Sequence, residues 1–148
     1  MNASRRLKPI KKLADNKEKT AAKNLGKSVA QRKQNLDKLN QLVNYRREYV
    51  SSMTIKTQQG MTGDKLHQYH HFLTKLDTAI EHQKVLLEQS EIELSKSRTD
   101  WQSDNSRANA IDKAIKNLKN KEAKAGEKKE SNQIDELSTQ AFLQRKQL

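Results

Sequence analysis

The chain has 148 residues, of which 32% are hydrophobic, 32% are charged and only 4% are aromatic. That is too little apolar side chain for one compact globular core, but it suits an extended helical protein with a narrow apolar seam. The absence of cysteine excludes disulfides and thiolate metal sites. No apolar run approaches the ~18 residues of a membrane span, and no segment alternates with the period of a strand.

The net charge of +12 is concentrated toward the two ends of the sequence. Residues 1–40 hold twelve basic and three acidic residues, a net +9, and residues 113–148 hold nine and five, a net +4. Residues 41–112 hold nine and ten, a net −1. We therefore expect contacts with acidic partners at the ends of the chain.

The first predicted helix begins near Pro9, after a frayed segment Met1–Lys8, and continues to about Thr57. Its apolar residues follow a three-four spacing with a four-residue slip between Ala21 and Leu25, which would locally unwind a supercoil. The residues assigned to this seam are Leu7, Ile10, Ala14, Lys17, Ala21, Leu25, Val29, Arg32, Leu36, Leu39, Val43, Arg46, Val50 and Met53.

A turn is predicted near residues 58–63, where two glycines end the first helix and Thr62 or Asp64 can cap the second. From Leu66 to Leu118 the second helix keeps a heptad repeat, with apolar residues at every a position. Several d positions halfway along are polar, so the seam should be thin there. They are Gln83, Ser90, Ser97 and Asp104.

Two long helices joined by a short loop should fold back on each other. We therefore predict an all-α fold, a long two-helix antiparallel coiled coil in which residue i faces roughly residue 121 − i. This α-helical hairpin is assigned to residues 1–118. Residues 119–148 should form a basic, partly disordered and flexible C-terminal tail, since they have nothing to pack on.

Two motifs with chemical meaning are better explained by ordinary helix surface. Gly26-Lys27-Ser28 resembles the end of a phosphate-binding loop, but that loop requires a glycine where Ala21 stands and a preceding strand. His67 and His71 have a spacing that can hold zinc, yet the heptad places them toward solvent without a third ligand. We predict no catalytic residue, no cofactor and no metal, and hence no enzyme.

A basic cluster lies at the start of the first helix, where the macrodipole disfavours positive charge by ~0.3–1 kcal/mol per residue. Helix stability does not explain this cluster, so we expect it to contact an acidic partner. Nucleic acid, an acidic membrane surface and an acidic protein groove are the candidates. The cluster comprises Arg5, Arg6, Lys8, Lys11 and Lys12.

Aromatic residues lie just off the seam on both helices. By the facing rule, Tyr45 should lie against Leu76 and Tyr49 against Phe72. Because g and c positions of a two-stranded coil stay largely exposed, these side chains could form a protein-docking patch. Alternatively, they merely broaden the seam.

The residues around the turn resemble the flagellar export protein FliJ family. The likeness covers roughly residues 7–118, and the tail matches poorly. It rests on Leu39-x-x-Leu42-Val43-x-Tyr45-x-x-Glu48-Tyr49, then Gly60, then Tyr69-x-x-Phe72-Leu73-x-x-Leu76-x-x-Ala79-Ile80.

The resemblance implies a non-enzymatic stalk of the bacterial flagellar type III export apparatus, cytoplasmic and peripheral at the inner membrane. FliJ-like proteins bind the hexameric export ATPase, the export gate protein FlhA and export chaperones, so we expect these partners and no nucleic acid. The basic cluster should contact the ATPase. The positions that match the gate-docking residues of the family are Tyr45, Tyr49, Phe72, Leu76 and Ala79.

Two alternatives remain open. An injectisome stalk protein of the same superfamily would share the fold. A basic helical nucleic-acid-binding protein would share the charge, although no aromatic residues are interleaved with the basic runs here.

Overall fold

The computed structural model describes residues 2–146, and these form two α-helices and no strand. Helix α1 spans Ala3–Gln58 and helix α2 spans Gly63–Lys146. The predicted all-α fold of two long helices joined by a short loop is confirmed. Segments of α1 and α2 run antiparallel within each of two compact units. We call Thr20–Gln102 the turn unit, and Met1–Lys19 with Ser103–Leu148 the end unit. The separation of residues 119–148 as a domain remains a prediction.

The loop between the helices lies at the position that the two glycines predict. Gly60 has a φ of +98°, a conformation that costs a glycine little and most other residues more. Thr62 then caps α2, because its Oγ1 accepts a hydrogen bond from the backbone N–H of Lys65 at 3.3 Å. Of the two predicted caps, Thr62 is the one that occupies the N-cap position.

The heptad seam of α2 is observed as the sequence predicts. Every a and d position from Leu66 to Leu118 is buried or half-buried, including the polar ones. The most enclosed apolar side chains are Leu73, Leu76, Ile80, Ala108 and Ile115.

The seam of α1 differs from the prediction. One row of buried and half-buried residues follows α1 at alternating steps of three and four, without the predicted slip after Ala21. The error came from following apolar side chains: Ile10, Val29 and Val43 are exposed, while polar neighbours occupy the seam. The observed seam is Ser4, Leu7, Lys11, Ala14, Glu18, Ala21, Leu25, Ser28, Arg32, Asn35, Leu39, Leu42, Arg46, Tyr49 and Met53.

Polar residues join the helices in the middle of the turn unit. The side-chain amide of Gln83 donates to the backbone oxygen of Asn35 at 3.0 Å, and the Asn35 amide donates to the backbone oxygen of Leu86 at 3.3 Å. The hydroxyls of Ser28 and Ser97 lie 2.9 Å apart. Both Asn35 and Gln83 are buried. The seam thus stays closed where it is polar because these groups bond across it.

The end unit fixes the start of α1, which was expected to fray before Pro9. The Ser4 hydroxyl and backbone N–H donate to the Glu122 carboxylate at 2.6 Å and 3.1 Å. These bonds lower the pKa of Glu122, the side-chain bond contributing most. A buried Ser4 anchors the first turn, so the helix begins at Ala3 and Pro9 lies inside it. The predicted fraying is therefore wrong for residues 3–8.

The expected disorder of the tail is also wrong for residues 119–146, which continue α2. Lysine, alanine and glutamate are strong helix formers, and extending an existing helix requires no new nucleus. Every side chain from Ala123 to Lys146 is exposed. Residues 147 and 148, which belong to the predicted tail, lie outside the described residues.

Candidate functional site

Four aromatic side chains from the two helices meet in the turn unit. The ring centroids of Tyr49 and Phe72 lie 4.7 Å apart, and those of Tyr45 and Phe72 lie 6.2 Å apart. Tyr69 adds a contact with Tyr49 at 5.0 Å. Helical spacing explains the grouping, because residues three or four apart share a face of each helix. We call Tyr45, Tyr49, Tyr69 and Phe72 the aromatic cluster.

Members of the predicted docking patch differ in exposure. Tyr45 is 48% exposed, whereas Leu76 is only 7% exposed and belongs to the core. Tyr49, Phe72 and Ala79 are half-buried. Tyr49 faces Phe72 as predicted, but the ring that Tyr45 meets is also Phe72. The expectation that Tyr49 and Phe72 are largely exposed is wrong, because these rings cover each other.

Tyr69 was assigned to the seam but omitted from the predicted patch. Its hydroxyl accepts a hydrogen bond of 2.9 Å from the Lys56 ammonium, which lies 5.6 Å from the ring centroid. This bond raises the pKa of Lys56. Burial is the main cause that raises the pKa of Tyr49. A tyrosine at a d position three residues before Phe72 was the signal for this contact. The cluster therefore combines apolar rings with a fixed cation at its border.

The predicted basic cluster lies in the end unit, and its members are not equivalent. Lys11 is half-buried and its ammonium lies 3.1 Å from the carboxylate of Asp112. Asp112 also pairs with Lys116 at 3.1 Å. The bonds from Lys11 and then Lys116 lower the pKa of Asp112. Lys11 is thus largely compensated within the unit, while the other four members are exposed. Those four are Arg5, Arg6, Lys8 and Lys12.

Sequence reasoning missed two lysines that extend this basic surface. Lys19 of α1 and Lys119 of α2 line an open groove whose other members are Lys8, Lys11, Lys12, Ile115, Asn16 and the acidic Asp15. The groove has a volume of about 480 Å³. The spacing of Lys8, Lys12 and Lys19 by four and seven was the available signal, since it places them on one helix face. We call this surface the basic groove.

Among residues 2–146, no group of three or more His, Cys, Asp or Glu side chains is placed to hold a metal ion. His67 and His71 are both exposed, as the heptad predicts. Across the same described range, neither helix carries a stretch apolar and long enough to cross a membrane. Chemically, the two surfaces offer binding contacts: packed aromatic rings in the turn unit and mostly exposed cations in the end unit.

The sequence matches the flagellar FliJ protein family over residues 3–147. The chain belongs to the flagellar FliJ family. This confirms the resemblance and gives the chain a role related to flagellar export. The match also includes the tail, which the residue-by-residue likeness left out. Neither the curated proteins nor the solved structures contained a match.

Proposed function

We propose that this FliJ-family chain is a non-enzymatic connector in flagellar protein export, with a separate docking surface in each unit. The aromatic cluster of the turn unit would bind the export gate protein FlhA, and the basic groove of the end unit would bind the export ATPase. Export chaperones complete the expected partners. Such a connector would work at the cytoplasmic side of the inner membrane.

The observation that carries the proposal is the exposure of Tyr45 at the edge of the aromatic cluster. Tyr45 extends from a ring set that the two helices build together, and it contacts Phe72 and Tyr49. Tyrosine anchors of this kind bury a large rigid area at little entropic cost when a partner covers them. Leu76 is buried in the seam and would support the fold without being an anchor of the surface.

The charge of the basic groove supports the second contact. Within residues 2–146, Lys8, Lys12 and Lys19 form no ion pair, whereas Lys119 interacts electrostatically with the Glu122 carboxylate and contributes to its lowered pKa. Clustered cations on an open surface favour an acidic partner and accelerate its association. The protein-binding reading is preferred over nucleic acid because the family match ties the chain to flagellar export.

Replacing Tyr45 by alanine tests the gate contact. We expect Tyr45→Ala to weaken binding to purified FlhA by about thirtyfold, since a truncated interface anchor costs about 2 kcal/mol. Melting and ATPase binding should stay unchanged, and swimming should be reduced. Ile55→Ala is the matched control, because Ile55 is 53% exposed on the same helix and lies outside the cluster. Unchanged gate binding by Tyr45→Ala would place the docking site elsewhere.

The ATPase contact is tested by charge reversal. Lys8→Glu with Lys12→Glu should weaken ATPase binding, and the native contact should weaken with salt, since exposed charges are screened within ~10 Å at 0.1 M. The control reverses two exposed lysines of the turn unit, Lys75 and Lys96. A preference of the purified protein for DNA over the ATPase at physiological salt would contradict the proposal.

A further inference from the structure

Helix α1 carries a second apolar row in the turn unit, on the side of the seam away from Tyr45. Four aliphatic residues follow each other at intervals of seven, which in a supercoiled helix forms a straight line. Val29 and Val43 are 49% and 36% exposed, and the other two are half-buried. We call Val29, Leu36, Val43 and Val50 the aliphatic stripe.

The heptad positions of α2 that lie on this flank all carry polar or charged side chains: they are His70, Asp77, Lys84, Glu91 and Arg98. On this flank α2 presents carboxylates that reach across the seam: Asp77 pairs with Arg46 at 2.6 Å, and Glu91 pairs with Arg32 at 3.5 Å. Each arginine lies three residues after one stripe member and four before the next, so it shares their face. The contrast with Tyr45 is clear, because that ring meets Phe72 of α2.

Charges along the outer border of the stripe indicate what could cover it. Lys33 lies four residues after Val29, and Arg47 lies four residues after Val43, which places both cations beside the stripe. Both are exposed, and in the described part of the chain neither has an ion pair. An apolar row edged by unpaired cations complements a helix with an apolar row edged by carboxylates.

We propose that the aliphatic stripe is a docking site for an acidic amphipathic helix of another protein, which would pack as a third helix against the turn unit. The apolar residues of that helix would pack against the residues of the stripe, and its acidic edge would pair with Lys33 and Arg47. A second copy of this chain is a poor occupant, since two such stripes would bring like charges together. This site is separate from the aromatic cluster and from the basic groove, and so goes beyond the function proposed above.

The test uses a synthetic four-heptad helix with leucine at its a and d positions and glutamate along its edges, and a matched peptide with lysine at those edges. We expect the full chain to bind the glutamate peptide at least about tenfold more tightly than the lysine peptide. Lys33→Glu with Arg47→Glu should reverse the preference. Val29→Gln with Val43→Gln should weaken binding of the glutamate peptide by about tenfold or more, without lowering the helicity of the chain.

Val85→Gln is the matched control, because Val85 is 49% exposed like Val29 but lies on the outer face of α2. It should leave peptide binding unchanged, as should Tyr45→Ala. The proposal is overturned if neither peptide binds, if both bind equally, or if Val85→Gln weakens binding as much as the stripe variants. Concentration-dependent dimerisation that the stripe variants abolish would instead assign the stripe to self-association, and would also overturn it.

Discussion

Two parts of the seam in the turn unit hold the same helices together by different means. Toward the loop, Leu73, Leu76 and Ile80 are buried beside the aromatic cluster. Farther along, Asn35 and Gln83 are equally buried, but their amides donate to backbone oxygens of the facing helix, and the Gln83 amide also contacts the Asn35 side-chain oxygen at 3.4 Å. The heptad geometry is the same in both parts, so the spacing of residues alone does not decide which force closes the seam.

The two parts of the seam therefore differ in what they contribute: one stabilises the folded state, and the other fixes the alignment of the two helices. Apolar side chains contribute free energy but tolerate shifts along the helix, because hydrophobic contact is not directional. A hydrogen bond between defined atoms contributes less net free energy and is lost when the helices slide. A buried asparagine at a seam position is an established device for fixing register in coiled coils. We infer that the loop-proximal part supplies stability and the polar part fixes the pairing of the helices.

The largest effect on stability is expected from truncating a buried side chain in the apolar part of the seam. Leu76→Ala should destabilise the protein by about 2–5 kcal/mol, through lost burial and the cavity left behind. Thermal melting followed by circular dichroism measures the loss. Ile92→Ala is the control, since Ile92 is 65% exposed and should change stability by no more than about 0.5 kcal/mol. Equal melting of the two variants would show that the apolar part does not dominate stability.

A smaller and different effect is expected in the polar part. Asn35→Ala should cost about 0.5–1.5 kcal/mol. It removes the bond to the Leu86 backbone oxygen and the 3.4 Å contact between the Gln83 amide and the Asn35 side-chain oxygen, while the Gln83 bond to the Asn35 backbone oxygen remains. Replacing Asn35 and Gln83 together by leucine should instead be neutral or stabilising, with reduced uniqueness of pairing. Chemical denaturation gives the free energies, and the width of amide NMR signals reports the pairing. A double variant less stable than Asn35→Ala would show that these bonds contribute net stability.

The smallest effect is expected from a charged contact in the end unit, the hydrogen bonds of Ser4 with the Glu122 carboxylate. It compares a charged polar contact with the neutral one between Asn35 and Gln83. The pKa of Glu122 is lowered below its ordinary 4.5 by the Ser4 bonds. The stabilisation is therefore fully present above the unfolded pKa and is lost as pH falls through the lowered folded pKa. Hydrogen exchange of the first turn of α1 should accelerate at acid pH relative to the neutral Asn35–Gln83 contact. Glu122→Gln should remove that acid dependence, and a dependence that persists in this variant would assign it to another group, such as Asp112.

The sequence alone determined the periodic features. Heptads at Leu73, Ile80 and their counterparts specify helix and seam because a burial period near 3.5 is incompatible with any other element. Gly60 and Thr62 located the loop, since positive φ and capping depend on residue chemistry within a few positions. The facing of Tyr49 and Phe72 followed from the loop position by counting.

Only the tertiary structure decided which residues fill the seam of α1. Ser28 and Asn35 lie in it while Val29 and Val43 lie beside it, and both polar side chains form hydrogen bonds across the seam to α2. In the same way, α1 begins before Pro9 because Ser4 donates a hydrogen bond to the carboxylate of Glu122, which is distant in the sequence. The sequence pattern shows which side chains prefer to be buried. The facing helix determines which polar groups find a hydrogen-bond partner, and thereby which face of α1 remains accessible to other proteins.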